Sequence, residues 1–93
     1  MKLVVTDACI FIDVIDLQLT SRFFGLEFEV HTTTDVINEL YPGQQEILKA
    51  FEFAGKLTIH TLTTQDWIAI QNQNFPRSLS PEDASVIFTA QRL

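Results

Sequence analysis

Three carboxylates stand at positions where an acid can do chemistry: Asp7, Glu39 and Asp83. Asp7 follows the apolar run of residues 3–5, which reads as a strand buried on both faces, and it precedes a helical pattern. Ligand sites in open α/β sheets lie off the carboxyl ends of the strands. An acid at the end of a first central strand is therefore well placed for a site.

The other two acids lie on predicted helices, next to apolar stripes. Glu39 falls between Val36 and Leu40 at helical spacing, so it is predicted to border the buried face. Asp83 begins a second such pattern, which predicts that this acid is the first member of a core-facing stripe; the later members are Val86, Ile87 and Ala90.

Each acid also has a purely structural interpretation. Asp7 is a good N-cap for a helix over residues 8–17. Asp83 comes three residues after Ser80, with Pro81 between them, and this spacing suits a capping box. Glu39 could be an ordinary surface glutamate. Both interpretations stay open, although clustered carboxylates repel one another and a cation commonly offsets that repulsion.

A group of ligands made up only of carboxylates is suited to binding a hard cation. Oxygen ligands suit Mg²⁺ or Mn²⁺, and such ions activate water for phosphodiester hydrolysis. A nucleophilic-aspartate phosphatase needs a second Asp two residues after the first, where Cys9 stands. The sequence has no glycine-rich phosphate loop. A receiver-like signalling domain with Asp7 as acceptor is disfavoured, because the expected Asp pair and strand-borne Lys are missing.

Length and composition predict one globular domain. The chain has 93 residues, 46% of them apolar, and a formal net charge of −6. Lys and Arg are scattered, so no basic stripe favours non-specific nucleic-acid binding. No signal peptide or membrane span is read, and a reducing cytoplasm is the expected compartment. The single Cys9 is predicted to be a small core residue, and the separated His31 and His60 show no zinc-site spacing.

Strand-like runs alternate with helical patterns along the chain. Strands are predicted near residues 3–5, 28–32 and 56–62, and about five helices between and after them. This alternation predicts a parallel sheet with right-handed crossovers, in the order third-second-first strand. The three acids would then meet at the carboxyl rim of the sheet, near enough to share one ion.

Three segments in order resemble a PIN-domain ribonuclease, of the kind found as the toxin of bacterial toxin–antitoxin pairs. They are VVTDAC (residues 4–9), TTTDVINEL (residues 32–40) and LSPEDAS (residues 79–85). The resemblance implies a three-layer α/β/α fold and a metal-dependent endoribonuclease. It implies Asp7, Glu39 and Asp83 as ligands of Mg²⁺ or Mn²⁺, RNA as substrate and an antitoxin protein as partner.

Family members continue into another strand with a fourth acidic cluster, whereas this sequence ends at Leu93. The expectation is therefore a truncated PIN-like domain that hydrolyses RNA weakly or not at all. The alternative is a non-catalytic interaction module that keeps the fold, with a partner surface drawn from Phe23, Phe24, Phe28 and Phe53; core packing is the commoner use of each of these residues. An apolar first strand at a sheet edge also predicts self-association, most simply as a symmetric dimer.

Overall fold

The protein is built on three strands with helices between them. The computed structural model describes residues 2–76 and 78–93. In chain order the described elements are β1 (Lys2–Val5), α1 (Ala8–Asp16), α2 (Thr20–Phe24), β2 (Phe28–Thr33), α3 (Thr34–Asn38), α4 (Pro42–Phe53), β3 (Leu57–His60), α5 (Thr64–Asn72) and α6 (Pro81–Arg92). No helix among these is long and apolar enough to cross a membrane.

The strands form one parallel sheet in the order β1-β2-β3, which confirms the predicted α/β class and strand order. Val5 lies opposite His31, and Thr33 lies opposite His60, so all three strands end at the same edge. Within the described residues β1 pairs with β2 alone. The prediction that β1 is buried on both faces is wrong: Leu3 is 46% exposed, because β1 is an edge strand.

One face of the sheet carries the main core, which α1, α2, α3 and α4 cover. Its buried members include Val30 and Leu57 from the strands, and Phe11 and Leu48 are fully inaccessible. Phe24 stacks on Phe51, with 4.3 Å between ring centroids, which holds α2 against α4. The segment that forms α2 is ambiguous in the sequence, and this contact explains why it is helical.

Successive residues of a strand point to opposite faces, so His31 and Thr33 face away from Val30. Helix α6 packs against β1 and β2 on this second side. A smaller apolar cluster joins α5 to α6, built around Ile70, Ala84 and Phe88. The sheet is thus flanked by helices.

The helix starts follow capping rules. Thr33, Thr63 and Ser80 each accept a hydrogen bond from a backbone N–H in the first turn of α3, α5 and α6. Pro42 begins α4, because a proline lacks the N–H that the first helical turn leaves unpaired in any case.

Candidate functional site

Each of the three predicted acids lies at the end of a different helix, near the carboxyl edge of the sheet. Asp7 is the N-cap of α1 and its Oδ1 accepts from the Ile10 N–H at 3.2 Å. Glu39 is the C-cap residue of α3, and Asp83 lies in the first turn of α6. The capping interpretation of Asp7 is therefore correct, and a cap leaves its second carboxylate oxygen available for other partners.

A buried chain of hydroxyl groups holds the start of α6 against β2. The Ser85 hydroxyl donates to the carbonyl of Glu82 at 2.6 Å, so it must accept from the Thr33 hydroxyl, which lies 2.8 Å away. Thr33 Oγ1 in turn accepts from the Val36 N–H at 3.2 Å. Thr33 and Ser85 are both fully buried. This one-directional chain fixes the first turn of α6 relative to the first turn of α3, and with them the acids that both helices carry.

A second set of bonds fixes the segment that leads to Asp7. The buried Thr32 hydroxyl donates to the Thr6 carbonyl at 2.8 Å, and the Thr6 N–H donates to the His31 carbonyl at 2.9 Å. The backbone just before Asp7 is thus attached to β2. All three acids are positioned by bonds that converge on the last residues of this central strand.

Three other carboxylates are near enough to Glu39 to affect its pKa. Partial burial raises the pKa of the Glu39 carboxyl, and the negative charges of Glu82, Asp83 and Asp7 raise it further. Glu82 is the strongest of these charged neighbours, and the sequence analysis missed it. Its position next to Asp83, in the first turn of α6, was the signal that the sequence offered. That signal is weak, because acids are common in a first helical turn for their interaction with the helix dipole alone.

The predicted core-facing stripe of α6 is wrong. Asp83, Ile87 and Ala90 are exposed, whereas the buried face carries Ala84, Ser85, Phe88 and Thr89 at the same helical spacing. Two hydroxyl residues on the buried face hide it from a search for apolar periodicity. Asp83 is consequently open to solvent, where a cation could reach it.

The donor chemistry suits a hard cation, since four carboxylates are gathered at one edge. Among residues 2–76 and 78–93, however, no group of three or more His, Cys, Asp or Glu side chains lies close enough to hold one ion directly. Mg²⁺ keeps several of its waters and is often held by only one or two carboxylates. The donor set therefore fits a largely hydrated ion, and the shared site of Asp7, Glu39 and Asp83 stays a prediction.

The two histidines, which the sequence separates by 29 positions, are in direct contact. His31 Nδ1 lies 2.8 Å from His60 Nε2, and the rings are 5.1 Å apart at 29°. Glu29 Oε1 lies 3.2 Å from His31 Nε2. Burial lowers the pKa of His60, and its neighbours His31 and Arg92 lower it further. Periodicity alone missed this group because it depends on the register of β2 against β3.

Other predicted residues lie away from these sites. Cys9 is exposed on α1, so its assignment to the core is wrong. Among the phenylalanines offered as a partner surface, Phe24 is buried and Phe53 is 96% exposed.

No protein-family model, curated protein or solved structure matches this chain.

Proposed function

We propose that this protein is a PIN-like, three-layer α/β/α endoribonuclease that hydrolyses RNA phosphodiesters weakly with Mg²⁺ or Mn²⁺. Asp7, Glu39 and Asp83 are its proposed metal ligands, and Glu82 is a fourth acid of the same cluster. The expected setting is the cytoplasm, with an antitoxin protein as a binding partner. These assignments rest on the three sequence segments that resemble the family and on the geometry of the cluster.

The observation that carries the proposal is the convergence of acids on buried hydroxyl bonds. The Thr33–Ser85 bond and the Thr32–Thr6 bond are both 2.8 Å long, and both are buried. Buried hydrogen bonds of this kind favour one arrangement of the helices on the sheet, because breaking them leaves a buried polar group without a partner. Asp7 as a cap, and Glu82 and Asp83 in a first helical turn, each have a local role, and it is their common proximity to Glu39 that supports a shared cation site.

A bound hard cation supplies a more acidic water and charge compensation at the phosphate. The chain's own acids position that ion and orient its waters. The net charge of −6 disfavours the approach of an RNA backbone in the absence of the ion. This repulsion, together with the lack of a closed three-ligand cage in the described residues, is the reason for expecting weak activity.

Cleavage of single-stranded RNA tests the proposal. Wild-type protein, Asp83→Asn and the control Glu46→Gln are incubated with labelled RNA in Mn²⁺ or in chelator. Glu46 is an exposed acid of α4, so the control removes one charge elsewhere. We expect slow, Mn²⁺-dependent cleavage that Asp83→Asn abolishes and Glu46→Gln keeps. Cleavage that Asp83→Asn leaves unchanged, or none above the chelator background, contradicts the proposal.

A second candidate, a non-catalytic interaction module, is favoured by the apolar surface beside β1. Leu3, Ile87 and Leu93 are 46%, 38% and 47% exposed and line one groove of about 490 Å³ between β1 and α6. The free edge of β1 adds backbone groups that can pair with a second copy to form a two-fold dimer.

Light scattering over a dilution series tests this candidate. We expect a dimer that dissociates on dilution and that Ile87→Lys removes. Phe53→Ser is the control, because Phe53 is exposed at the end of α4 and does not line the groove. A monomer at every concentration, or a dimer that survives Ile87→Lys, contradicts the self-association.

A further inference from the structure

We propose that His31 and His60 form a binding site for a borderline transition-metal ion, Zn²⁺ in particular, with Glu29 as the supporting carboxylate. The site is separate from the acid cluster and does not rest on the proposed function. It depends on the pairing of β2 with β3. Thr33 of β2 lies opposite His60 of β3. His31 comes two residues before Thr33 in the same strand, so its side chain lies on the same face of the sheet as that of Thr33.

Glu29 determines which nitrogen of His31 is free. A carboxylate only accepts hydrogen bonds, so Glu29 Oε1, at 3.2 Å, requires the proton on His31 Nε2. In neutral His31 the Nδ1 atom then carries a lone pair, and this is the atom that faces His60. A histidine that donates one N–H to a carboxylate and offers its other nitrogen is the arrangement typical of metal-ligating histidines.

His60 becomes the second ligand through a change of tautomer and a movement of the two facing rings. When His31 is neutral with its proton on Nε2, His60 Nε2 is the donor of the 2.8 Å bond to His31 Nδ1. Transfer of that proton to Nδ1 leaves lone pairs on both facing nitrogens, with no net gain or loss of protons. Two nitrogens on one tetrahedral Zn²⁺ are about 3.3 Å apart, given Zn–N bonds of about 2.0–2.1 Å. The two nitrogens must therefore separate by about 0.5 Å, and both rings must turn so that their lone pairs point at one ion and no longer at each other.

The site is shielded from solvent on one side and open to it on the other. His31 is only 5% exposed, and α6 covers this face of the sheet. His60 is partly buried and Glu29 is exposed, so water can reach the remaining positions of the ion.

One nearby charge opposes a cation, namely Arg92. Its guanidinium is paired with Asp66 at 2.9 Å and lies 4.8 Å above the Phe88 ring. The Asp66 carboxylate offsets much of the repulsion that Arg92 would otherwise exert on an ion at His60. Two imidazole ligands with water in the remaining positions favour Zn²⁺ over Mg²⁺, because imidazole is a poor ligand for hard cations.

Zn²⁺ titration of the full chain at neutral pH, followed by calorimetry, tests the site. We expect one Zn²⁺ per chain, binding weakened more than about tenfold in His60→Gln, and binding weakened about tenfold in Glu29→Gln. Glu46→Gln, which removes an exposed acid of α4, should bind Zn²⁺ as the wild type does. Undetectable binding, or binding that His60→Gln leaves intact or that Glu46→Gln removes, overturns the proposal.

Imidazole ¹⁵N NMR provides a measurement that does not depend on a variant folding. The chain has two histidines, so their ring signals are readily distinguished. We expect Zn²⁺ to shift His31 Nδ1 and His60 Nε2 while His31 Nε2 stays protonated; Mg²⁺ should shift neither. Ring signals that Zn²⁺ leaves unchanged also overturn the proposal.

Discussion

Replacing Glu39 with Gln should make the metal-free protein more stable. The substitution keeps the shape of the side chain and removes one charge that faces Glu82, Asp83 and Asp7. Repulsion between exposed like charges costs about 0.2–0.5 kcal/mol for each neighbouring pair. Because Glu39 is largely exposed, solvent screening limits the total, and we expect a gain of about 0.5–1 kcal/mol in unfolding free energy. For a domain of this size the melting temperature should rise by about 2–8 °C.

The matched control is Glu46→Gln, which makes the same chemical change on the exposed surface of α4. Both variants relieve the net charge of −6 equally, so their difference isolates the local repulsion at Glu39. Calorimetric melting in chelator should show this difference at low salt and lose most of it in 1 M NaCl, where the Debye length is about 3 Å. If Glu39→Gln melts no higher than Glu46→Gln at low salt, the acids do not face one another and the reasoning is refuted.

The pH dependence of the same difference follows from the direction of the pKa shift. The pKa of Glu39 is raised, so the folded state binds this proton more tightly than the unfolded state does. The destabilising charge is therefore present above the raised pKa of the folded state and disappears as pH falls through it. We expect Glu39→Gln and wild type to approach equal stability in that window. Mn²⁺ should reverse the order at neutral pH, because it stabilises only the chain that keeps its ligand.

Three further changes test the supporting structure. Ser85→Ala breaks the buried hydroxyl chain and should cost about 1–3 kcal/mol in urea unfolding, whereas Thr89→Val, whose hydroxyl has no partner in the described residues, should cost little or nothing. Burial lowers the pKa of His60, so the folded state binds fewer protons; stability should fall as pH drops below about 6.5, and His60→Gln should flatten that fall. The Thr63 N–H lowers the pKa of Asp66, so its stabilising effect should be lost as pH falls through that lowered pKa, and thermal melts of Asp66→Asn should lack this acid-dependent loss.

Local rules were sufficient for the elements and their order. The helices α3, α5 and α6 start at Thr33, Thr63 and Ser80, residue types that capping preferences favour. The parallel arrangement follows from the alternation of strands and helices. What these rules could not give is which face of each element is buried. In α6 two helical faces compete, and the buried one contains Ser85 and Thr89. The bond between the Ser85 and Thr33 hydroxyls is what makes Ser85 acceptable inside a core, and a search for apolar residues does not reveal it.

The candidate sites also divide into residues that local patterns predict and residues that depend on contacts between elements. Asp7 and Asp83 were found because they stand at the ends of strands and helices, which are visible along the chain. The His31–His60 contact depends on strand register, and register is a property of two segments that no single-segment pattern encodes. The burial of β1 was mispredicted for a related reason. An apolar run does not reveal how many neighbours its strand has.

Paramagnetic mapping with Mn²⁺ tests the acid cluster most directly. Backbone NMR signals are recorded during a titration of the wild type and of Asp83→Asn. A bound Mn²⁺ broadens signals near it, and Asp13 and Asp16, two exposed acids of α1, serve as the internal comparison. We predict selective broadening at Asp7, Glu39 and Asp83 that Asp83→Asn weakens. Broadening that is equal at Asp13 and Asp16, or unchanged in Asp83→Asn, would contradict a metal site at this edge of the sheet.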